Sequence, residues 1–238
     1  MSRSRDARYK PPAERLYGRV RGHKLRPRQQ ALLDLVLPRL AFPEALAGDP
    51  AAAFATRPRE LWLEVGFGGG EHAQALAAAR PDAGVIACEV FENGICSLLS
   101  RLVPDGAEAD GPLPGNLRLW TDDARLLLRA LPERSLDKLF LMFPDPWPKA
   151  RHAKRRFVHP EQIALVARVL KPGAEWRIAS DHPTYQEWVA EVLATQDAFT
   201  VPEPATNRPA TWPPTRYEAK AVREGRRPLY WSLLRLED

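Results

Sequence analysis

One carboxylate stands in a proline-rich stretch beside a dense run of positive charge. Residues 143–149 read Phe-Pro-Asp-Pro-Trp-Pro-Lys, so Asp145 lies between two prolines. The basic run, residues 149–156, then holds five lysines and arginines and no acid. Proline fixes its own φ and restricts the residue before it, which makes this turn stiff. A fixed carboxylate next to dense positive charge suits an electron-rich base carried on a polyanion.

The predicted elements place Asp145 where a strand ends. The apolar run 139–143 precedes it, and ligands of open α/β sheets bind at the carboxyl ends of strands. From residue 61 onward, short apolar runs alternate with helical patterns, which predicts βαβ units and a mostly parallel sheet. The predicted strands are 61–66, 84–89, 117–121, 136–143, 174–180, 198–201 and 229–236, which make a seven-stranded sheet. The predicted helices are 28–40, 71–80, 92–102, 122–130, 159–170 and 184–195, and loops are predicted at 104–115 and around 212–218.

A glycine loop closes the first predicted strand. Residues 64–70 read Glu-Val-Gly-Phe-Gly-Gly-Gly, and glycines such as Gly66 and Gly68 let a nucleotide approach the backbone. The dinucleotide fingerprint fails, because the third glycine is replaced by Glu71 and because Glu64 would repel a pyrophosphate. S-adenosylmethionine fits better, since it carries a sulfonium and an ammonium group and no phosphate.

Two further acids follow strands in the order that such a pocket needs. Glu89 ends the second predicted strand, where a carboxylate can accept both ribose hydroxyl protons. Asp123 follows the third strand and can accept from the adenine amino group. An acid after a strand is also a common helix N-cap, and position favours Asp122 for that role. The alternative to a cofactor site is therefore a set of unrelated turns and caps.

Composition bounds the class of protein. The chain has 238 residues, 45% of them apolar and 27% charged, which is typical of a globular domain. No apolar run is long enough to span a bilayer, and the start has no hydrophobic signal segment, so we predict a cytoplasmic protein without a membrane partner. Cys88 and Cys96 are interpreted as reduced thiols. The histidines His152 and His159 have no partners at metal-ligand spacing, so no metal is predicted.

The positive charge is concentrated in two places. The net charge is +5, yet residues 1–30 hold ten lysines and arginines against two acids, and the basic run adds five more. Such clustering is typical of a phosphate-backbone binder. We predict a basic, partly disordered arm over residues 1–30 and a single domain over 31–238. The first ten residues read most simply as a solvated tail, whereas Tyr17 and the cations after it indicate an RNA-contacting arm.

Taken together, these motifs are similar to those of the bacterial tRNA (guanine-N7) methyltransferase family, and the resemblance covers roughly residues 16–236. The Pro-Asp-Pro-Trp turn followed by the basic run is its specific part, because other class I methyltransferases share only the glycine loop. The motifs are Glu-Val-Gly-Phe-Gly at 64–68, Glu89, Asp123-Ala124, Pro-Asp-Pro-Trp at 144–147, Lys149, the cations of 151–156, Ser180-Asp181 and Thr-Arg-Tyr-Glu at 215–218.

The resemblance implies a Rossmann-like class I methyltransferase fold with helices on both faces of the sheet. It implies transfer of a methyl group from S-adenosylmethionine to N7 of guanosine 46 in the tRNA variable loop. It assigns Glu64, Glu89 and Asp123 to the cofactor, with Gly66 and Gly68 in the loop between them, and Asp145 to both cofactor and catalysis. The candidate substrate residues are Lys149, Arg151, Lys154, Arg155, Arg156, Asp181, Thr215, Arg216, Tyr217 and Glu218.

Guanine N7 has a lone pair and no proton, so its methylation needs no general base. We therefore expect Asp145 to orient the guanine and to stabilise the positive charge that forms on the ring. Trp147 or Tyr217 can stack on the base, and core packing is the alternative for Trp147. For Asp181 the alternative is the N-cap of the helix that follows, and for Arg216 and Glu218 it is a surface ion pair.

Two other classes of protein stay open at this point. A methyltransferase acting on an exocyclic amine of rRNA or DNA also places an acid and prolines after the fourth strand. A non-catalytic RNA-binding protein on the same fold is the second, although it would be free to lose the acids Glu64, Glu89, Asp123 and Asp145. The sequence leaves the choice between monomer and homodimer open.

Overall fold

The computed structural model describes residues 18–237, and its centre is a six-stranded sheet. The strand order is β3-β2-β1-β4-β5-β6, and only β6 runs antiparallel to its neighbour. This confirms the predicted α/β architecture with a mostly parallel sheet. The strands are β1 (Glu60–Val65), β2 (Ala83–Cys88), β3 (Leu117–Trp120), β4 (Leu136–Met142), β5 (Leu170–Ser180) and β6 (Leu229–Leu234).

Helices pack on both faces of this sheet, as predicted. The helix expected at 28–40 begins at Pro27 and contains a π-helical segment, Leu32–Val36. Pro38 has no N–H and its ring would clash with the carbonyl of Asp34, so a widened turn replaces the regular one at that point. The helices are α1 (Pro27–Ala31), α2 (Leu37–Leu40), α3 (Glu71–Ala79), α4 (Glu92–Leu102), α5 (Ala124–Ala130), α6 (Pro160–Val169), α7 (Pro183–Leu193) and α8 (Arg216–Arg223).

Strand alternation separates two cores, one on each face. Along β1, Leu61, Leu63 and Val65 face a cluster built with α5, α6 and α7, whereas Trp62 faces a cluster built with α3, α4 and the π-helical segment. Successive side chains of a strand point to opposite faces, so Glu64 lies on the same face as Trp62. This orientation decides what Glu64 can contact.

The seventh strand predicted at 198–201 is reduced to isolated bridges against β6. Phe199 pairs with Arg235, and Ala205 pairs with Tyr230, with no ladder between them. Pro202 and Pro204 have no N–H to donate, which interrupts the pairing along this edge. Within residues 18–237 the sheet therefore has six strands where seven were expected.

Helix α8 was not predicted, since 212–218 was interpreted as a loop. Four of its eight residues are charged, and Ala221 is the one buried residue within it, so this short polar segment was interpreted as a loop. The predicted loop at 104–115 is confirmed as lying outside helices and strands.

The predicted N-terminal arm is described only from Gly18. Residues 1–17, including Tyr17, lie outside the described residues, and the helix α1 already begins within the segment that was assigned to the arm. None of the helices found between residues 18 and 237 has the length and apolar character needed to cross a membrane.

Candidate functional site

A cavity of about 720 Å3 opens at the carboxyl ends of β1, β2 and β4. The predicted residues Gly66, Gly68, Glu89, Asp123 and Asp145 line it. Part of the basic run and the first described residues of the arm also line it, and the full set from these segments is Lys154, Arg155, Arg156, Gly18 and Arg19. The two basic regions of the sequence therefore meet the predicted acids at one cavity.

The glycine loop is held in a conformation that favours glycine. Gly66 and Gly68 have φ values of 74° and 57°, in the left-handed region that other residues rarely adopt. The N–H groups of Gly66 and Phe67 both donate to the carbonyl of Cys88, at 2.9 and 3.1 Å, which joins the loop to the end of β2. A Cβ added at Gly66 would meet no protein atom within 4 Å. The loop therefore presents bare backbone to the cavity.

Glu89 connects that loop to the start of α4. Its Oε2 accepts from the Gly68 N–H at 2.7 Å, and its Oε1 accepts from the N–H groups of Val90 and Phe91 at 2.8 and 3.0 Å. Burial raises the pKa of Glu89; the three backbone N–H groups oppose that shift, and the nearby charge of Asp145 adds to it. A carboxylate has about four acceptor positions, so Glu89 keeps capacity for a ligand hydroxyl.

Asp123, and not Asp122, is the N-cap of α5, so the predicted assignment of the cap to Asp122 is wrong. The Asp123 carboxylate accepts from the Arg125 backbone N–H at 2.9 Å and from the Arg125 guanidinium, whose Nη2 lies 2.5 Å from Oδ2. Asp122 instead accepts from the Asp123 N–H at 2.7 Å. The carboxylate of Asp123 is thus fixed and partly neutralised where it reaches the cavity.

Glu64 lies beneath the glycine loop and does not line the cavity. It is 1% exposed and points towards α3, where its Oε1 lies 3.2 Å from Nδ1 of His72. Its Oε2 is buried and has no hydrogen-bond partner within the described part of the chain. The structure thus separates Glu64 from Glu89, Asp123 and Asp145, with which the sequence grouped it.

The turn that carries Asp145 is strained on both sides. Phe143 and Trp147 have φ values of 53° and 42°, and they are two of the three non-glycine residues with positive φ among residues 18–237. Such conformations cost free energy and concentrate at functional sites. The Phe143 N–H donates to the Ala179 carbonyl at 2.8 Å, which joins the turn to the end of β5. Asp145 itself is exposed at the cavity.

Arg156 stabilises this turn through hydrogen bonds to its backbone. It is 6% exposed, and its guanidinium donates to the carbonyls of Pro146 and Trp147, at 3.2 and 3.0 Å. The same guanidinium lies over the ring of Trp188 on α7, 4.9 Å from the centroid. Arg156 therefore joins the Asp145 turn to α7, although the sequence placed it among the RNA-contacting cations.

The rest of the basic run is more open. Residues Ala150–Arg155 form a 3-10 helix on which Lys149, Arg151 and Lys154 are exposed. The Arg155 guanidinium lies 4.8 Å from the centroid of the Trp147 ring. Trp147 lines the cavity and belongs to neither core cluster, which argues against the core-packing alternative.

Asp181 is paired away from the cavity. Its Oδ2 accepts from Nε of Arg226 at 2.5 Å, and it is not a lining residue. The N-cap of α7 is His182, so the alternative that made Asp181 the cap is wrong.

Only Tyr217 among residues 215–218 lines the cavity. Thr215 is the N-cap of α8, and its hydroxyl accepts from the Glu218 N–H at 3.0 Å. Glu218 pairs with Arg208 at 3.0 Å, and the Arg216 guanidinium lies near Glu71, at 3.9 Å. The alternative that paired Arg216 with Glu218 is therefore wrong, since each has another partner.

Tyr217 covers the glycine loop. A Cβ added at Gly68 would lie 2.8 Å from the Tyr217 hydroxyl, and Nη2 of Arg216 donates to that hydroxyl at 3.1 Å. The ring thus bounds the cavity opposite the turn of Asp145.

Sequence reasoning missed two lining residues, Arg125 and Gln162. Arg125 neutralises Asp123, and its place two residues after an N-cap was a readable signal. Gln162 on α6 is a buried polar residue at the cavity, and nothing in the sequence distinguished it from other helical polar residues. Arg19, which the sequence placed in an RNA-contacting arm, lines the same cavity as the basic run, more than a hundred residues later in the sequence.

Comparisons with known proteins agree with this geometry. A family model described as "Putative methyltransferase" matches residues 58–230. The fold is similar to that of the 16S rRNA methyltransferase KamB, with a TM-score of 0.53 over 74% of this chain and 89% of that chain, at 18% identity.

Two relatives match over nearly the whole chain. A tRNA (guanine-N(7)-)-methyltransferase of Granulibacter bethesdensis is 64% identical over 231 residues, which are 97% of this chain and 99% of that protein. A protein of the same name from Paramagnetospirillum magneticum is 47% identical over 91% of each chain. With the glycine loop, the acids and the Pro-Asp-Pro-Trp turn at one cavity, these matches show that the chain belongs to the tRNA (guanine-N7)-methyltransferase family.

Proposed function

We propose that this protein transfers a methyl group from S-adenosylmethionine to N7 of guanosine 46 in the variable loop of tRNA. One observation carries the proposal: a single cavity joins the carboxylates of Glu89 and Asp123 and a glycine loop to a strained Pro-Asp-Pro turn bordered by cations. The names of the relatives support the same activity.

The donor half of the cavity, formed by the glycine loop, Glu89 and Asp123, fits a cationic nucleoside. Its volume suits a ligand of that size, and the bare backbone at Gly66 leaves room for one. Glu89 keeps acceptor capacity for ribose hydroxyls, and the fixed Asp123 can accept from the adenine amino group beside Arg125. Glu64, being buried under the loop, would support the donor through the loop and not by contact.

When bound, S-adenosylmethionine supplies an electrophilic methyl group on a sulfonium centre. The N7 lone pair forms the new N–C bond as the S–C bond breaks, and the positive charge passes from sulfur to the guanine ring. No proton leaves N7, so the chain needs neither a general base nor a metal for this step.

Asp145 has two tasks in this scheme. Its carboxylate accepts from the N1 and amino protons of guanine, which turns N7 towards the methyl group, and its charge stabilises the ring cation. The strained turn and Arg156 behind it fix that carboxylate before the substrate arrives. Trp147 or Tyr217 offers a ring on which the guanine can stack, since both line the cavity.

The substrate half, formed by the turn of Asp145, the basic run and Tyr217, is the part that would contact the tRNA. Lys149, Arg151 and Lys154 are exposed beside the turn and are suited to phosphate contacts. We extend the substrate assignment to Arg155, Asp181 and residues 215–218 as the family motifs indicate, with Tyr217 as the member at the cavity. We place the activity in the cytoplasm, in a monomer or homodimer.

The test is incubation of the purified protein with labelled S-adenosylmethionine and an unmodified tRNA transcript, followed by borohydride and aniline, which cut the chain at 7-methylguanosine. We expect label in the tRNA and one cut in the variable loop. Label without a cut would favour methylation of an exocyclic amine. No label and no heat of donor binding in calorimetry would favour a non-catalytic RNA-binding protein.

A further inference from the structure

The first described residues of the arm line the cavity at Gly18 and Arg19 and are attached to α4. We call residues 18–23 the strap. The Val20 carbonyl accepts from the Glu92 N–H at 2.9 Å, and the His23 carbonyl accepts from Nδ2 of Asn93 at 3.3 Å. The strap therefore has a fixed register on the first turn of α4.

Side chains strengthen that attachment. The guanidinium of Arg21 lies 3.6 Å from the Glu92 carboxylate. Gly22 packs so closely that an added Cβ would lie 2.4 Å from Oδ1 of Asn93 and 2.8 Å from the ring of Phe91. A side chain at position 22 would thus require the strap or the Phe91 ring to move.

The attachment leaves one cation of the arm facing the cavity. Arg21 is paired with Glu92, and Arg28 is paired with Glu108 and Asp105 on the loop after α4. Arg19 lines the cavity, and within residues 18–237 it makes no ion pair. Lys154 and Arg155 line the same cavity from the basic run.

We propose that Arg19 contacts a phosphate of the nucleotide to be methylated, so that the strap and the basic run both hold the tRNA backbone at the cavity. This inference rests on the proposed function, because it takes tRNA as the polyanion. A cation that makes no ion pair among residues 18–237 and lies beside a pocket of acids is suited to an anion that arrives with the substrate. The carboxylate of the donor is the other anion that such a guanidinium can bind, and the test distinguishes them.

The test compares Arg19→Ala with Lys24→Ala, a matched control. Lys24 is an exposed cation of the same arm that does not line the cavity, so both variants lose one charge. We measure tRNA binding over a series of salt concentrations, and donor binding by calorimetry. Arg19→Ala should weaken tRNA binding about tenfold and reduce the salt slope by about 1, as expected for one phosphate contact. Lys24→Ala should weaken it less than about threefold, and donor affinity should be unchanged in both.

Equal effects of the two variants would overturn the proposal, since net charge alone would then explain them. A loss of donor affinity in Arg19→Ala with an unchanged salt slope would also overturn it, and would assign Arg19 to the donor carboxylate. Methylation of tRNA by the wild-type protein is measured in parallel. Failure of that activity would refute the proposed function separately from the role of Arg19.

A second pair of variants tests the strap without changing its charge. Gly22→Ala introduces the close contacts described above, whereas a Cβ at Gly48, which lies outside the strap and does not line the cavity, would meet no protein atom within 4 Å. Gly22→Ala should weaken tRNA binding at least threefold, and Gly48→Ala should leave it unchanged. Combining Gly22→Ala with Arg19→Ala should add little to the loss caused by Arg19→Ala. Fully additive losses would show that the strap does not act through Arg19.

Discussion

The charged side chains of the two halves of the cavity differ in their pairing and exposure. In the donor half, Glu89 accepts from three backbone N–H groups and Asp123 accepts from Arg125. In the substrate half, Asp145, Lys149 and Lys154 are exposed. A buried carboxylate must have partners within the protein, whereas a solvated charge can wait for its ligand. We therefore expect the donor half to be largely formed before binding and the substrate half to be completed by the bound tRNA.

The same contrast recurs inside the basic run. Arg156 is buried and donates to two carbonyls of the turn, while Lys154, two residues earlier, is exposed. Arg156 therefore stabilises the turn, whereas we expect the exposed Lys154 to contact the substrate.

The largest effect should come from the exposed acid of the substrate half. Asp145→Ala should lower the turnover rate by about 10²–10³, because the turn loses both the guanine acceptor and the charge that stabilises the cation. Donor affinity and the melting temperature should change little, since Asp145 is exposed. Single-turnover methylation with saturating tRNA measures this. The turnover rate of Asp145→Asn, which keeps an acceptor without the charge, should lie between the rates of the wild type and of Asp145→Ala. Wild-type rates in either variant would remove Asp145 from the mechanism.

The comparison of Arg156 with Lys154 should give the next effect. Arg156→Ala should reduce the free energy of unfolding by about 3 kcal/mol, since charge-assisted hydrogen bonds to two turn carbonyls are lost. It should also slow turnover about tenfold to a hundredfold by loosening the turn, with no change in the salt slope of tRNA binding. Denaturant unfolding, turnover and salt titrations measure the three quantities.

Lys154→Ala is the matched control and should show the reverse pattern. Stability and turnover at saturating tRNA should be kept, while the salt slope falls by about 1. Arg156→Lys keeps the charge but cannot donate to both turn carbonyls in the geometry of a guanidinium. It should therefore recover less than half of the stability that Arg156→Ala loses. A salt slope that falls in Arg156→Ala as it does in Lys154→Ala would refute the distinction.

The smallest effect concerns the pH dependence of the donor half. Because burial raises the pKa of Glu89, this carboxyl takes up a proton at a higher pH than an ordinary glutamate. The ionised form is the better acceptor for ribose hydroxyls, so donor affinity should fall as pH falls through the raised pKa. Calorimetry between pH 4 and neutrality, a range set around the ordinary pKa of about 4.3, measures this. Glu89→Gln should have weaker affinity and a flat profile over that window.

The two halves should be coupled in this experiment. The charge of Asp145 contributes to the raised pKa of Glu89, so Asp145→Asn should move the midpoint of donor affinity to lower pH. An unmoved midpoint would show that the halves are electrostatically independent.

The sheet and the turn were predictable because local sequence decides them. Five of the seven predicted strands, such as 84–89 for β2, match the structure within one or two residues, since buried parallel strands read as short apolar runs. The Asp145 turn followed from the prolines on each side of it. The alternation along β1 could also have predicted that Glu64 shares a face with Trp62 and so points towards α3.

Other features depend on contacts that the sequence does not contain. Nothing local distinguishes Arg156 from Lys154, because burial of one is decided by Trp188 on α7. The meeting of Arg19 with the basic run is set by the fold, across more than a hundred residues of sequence. Helix α8 is short and polar and is stabilised at its start by Thr215, so its sequence resembled a loop.

The most direct test of the account replaces the atom that is proposed to react. We would compare a tRNA transcript carrying guanosine 46 with one carrying 7-deazaguanosine at that position, which has a carbon in place of N7. The account predicts one methyl group per molecule of the first tRNA and none on the second, which should still compete for binding with similar affinity. Methylation of the deaza tRNA at the wild-type rate would contradict it.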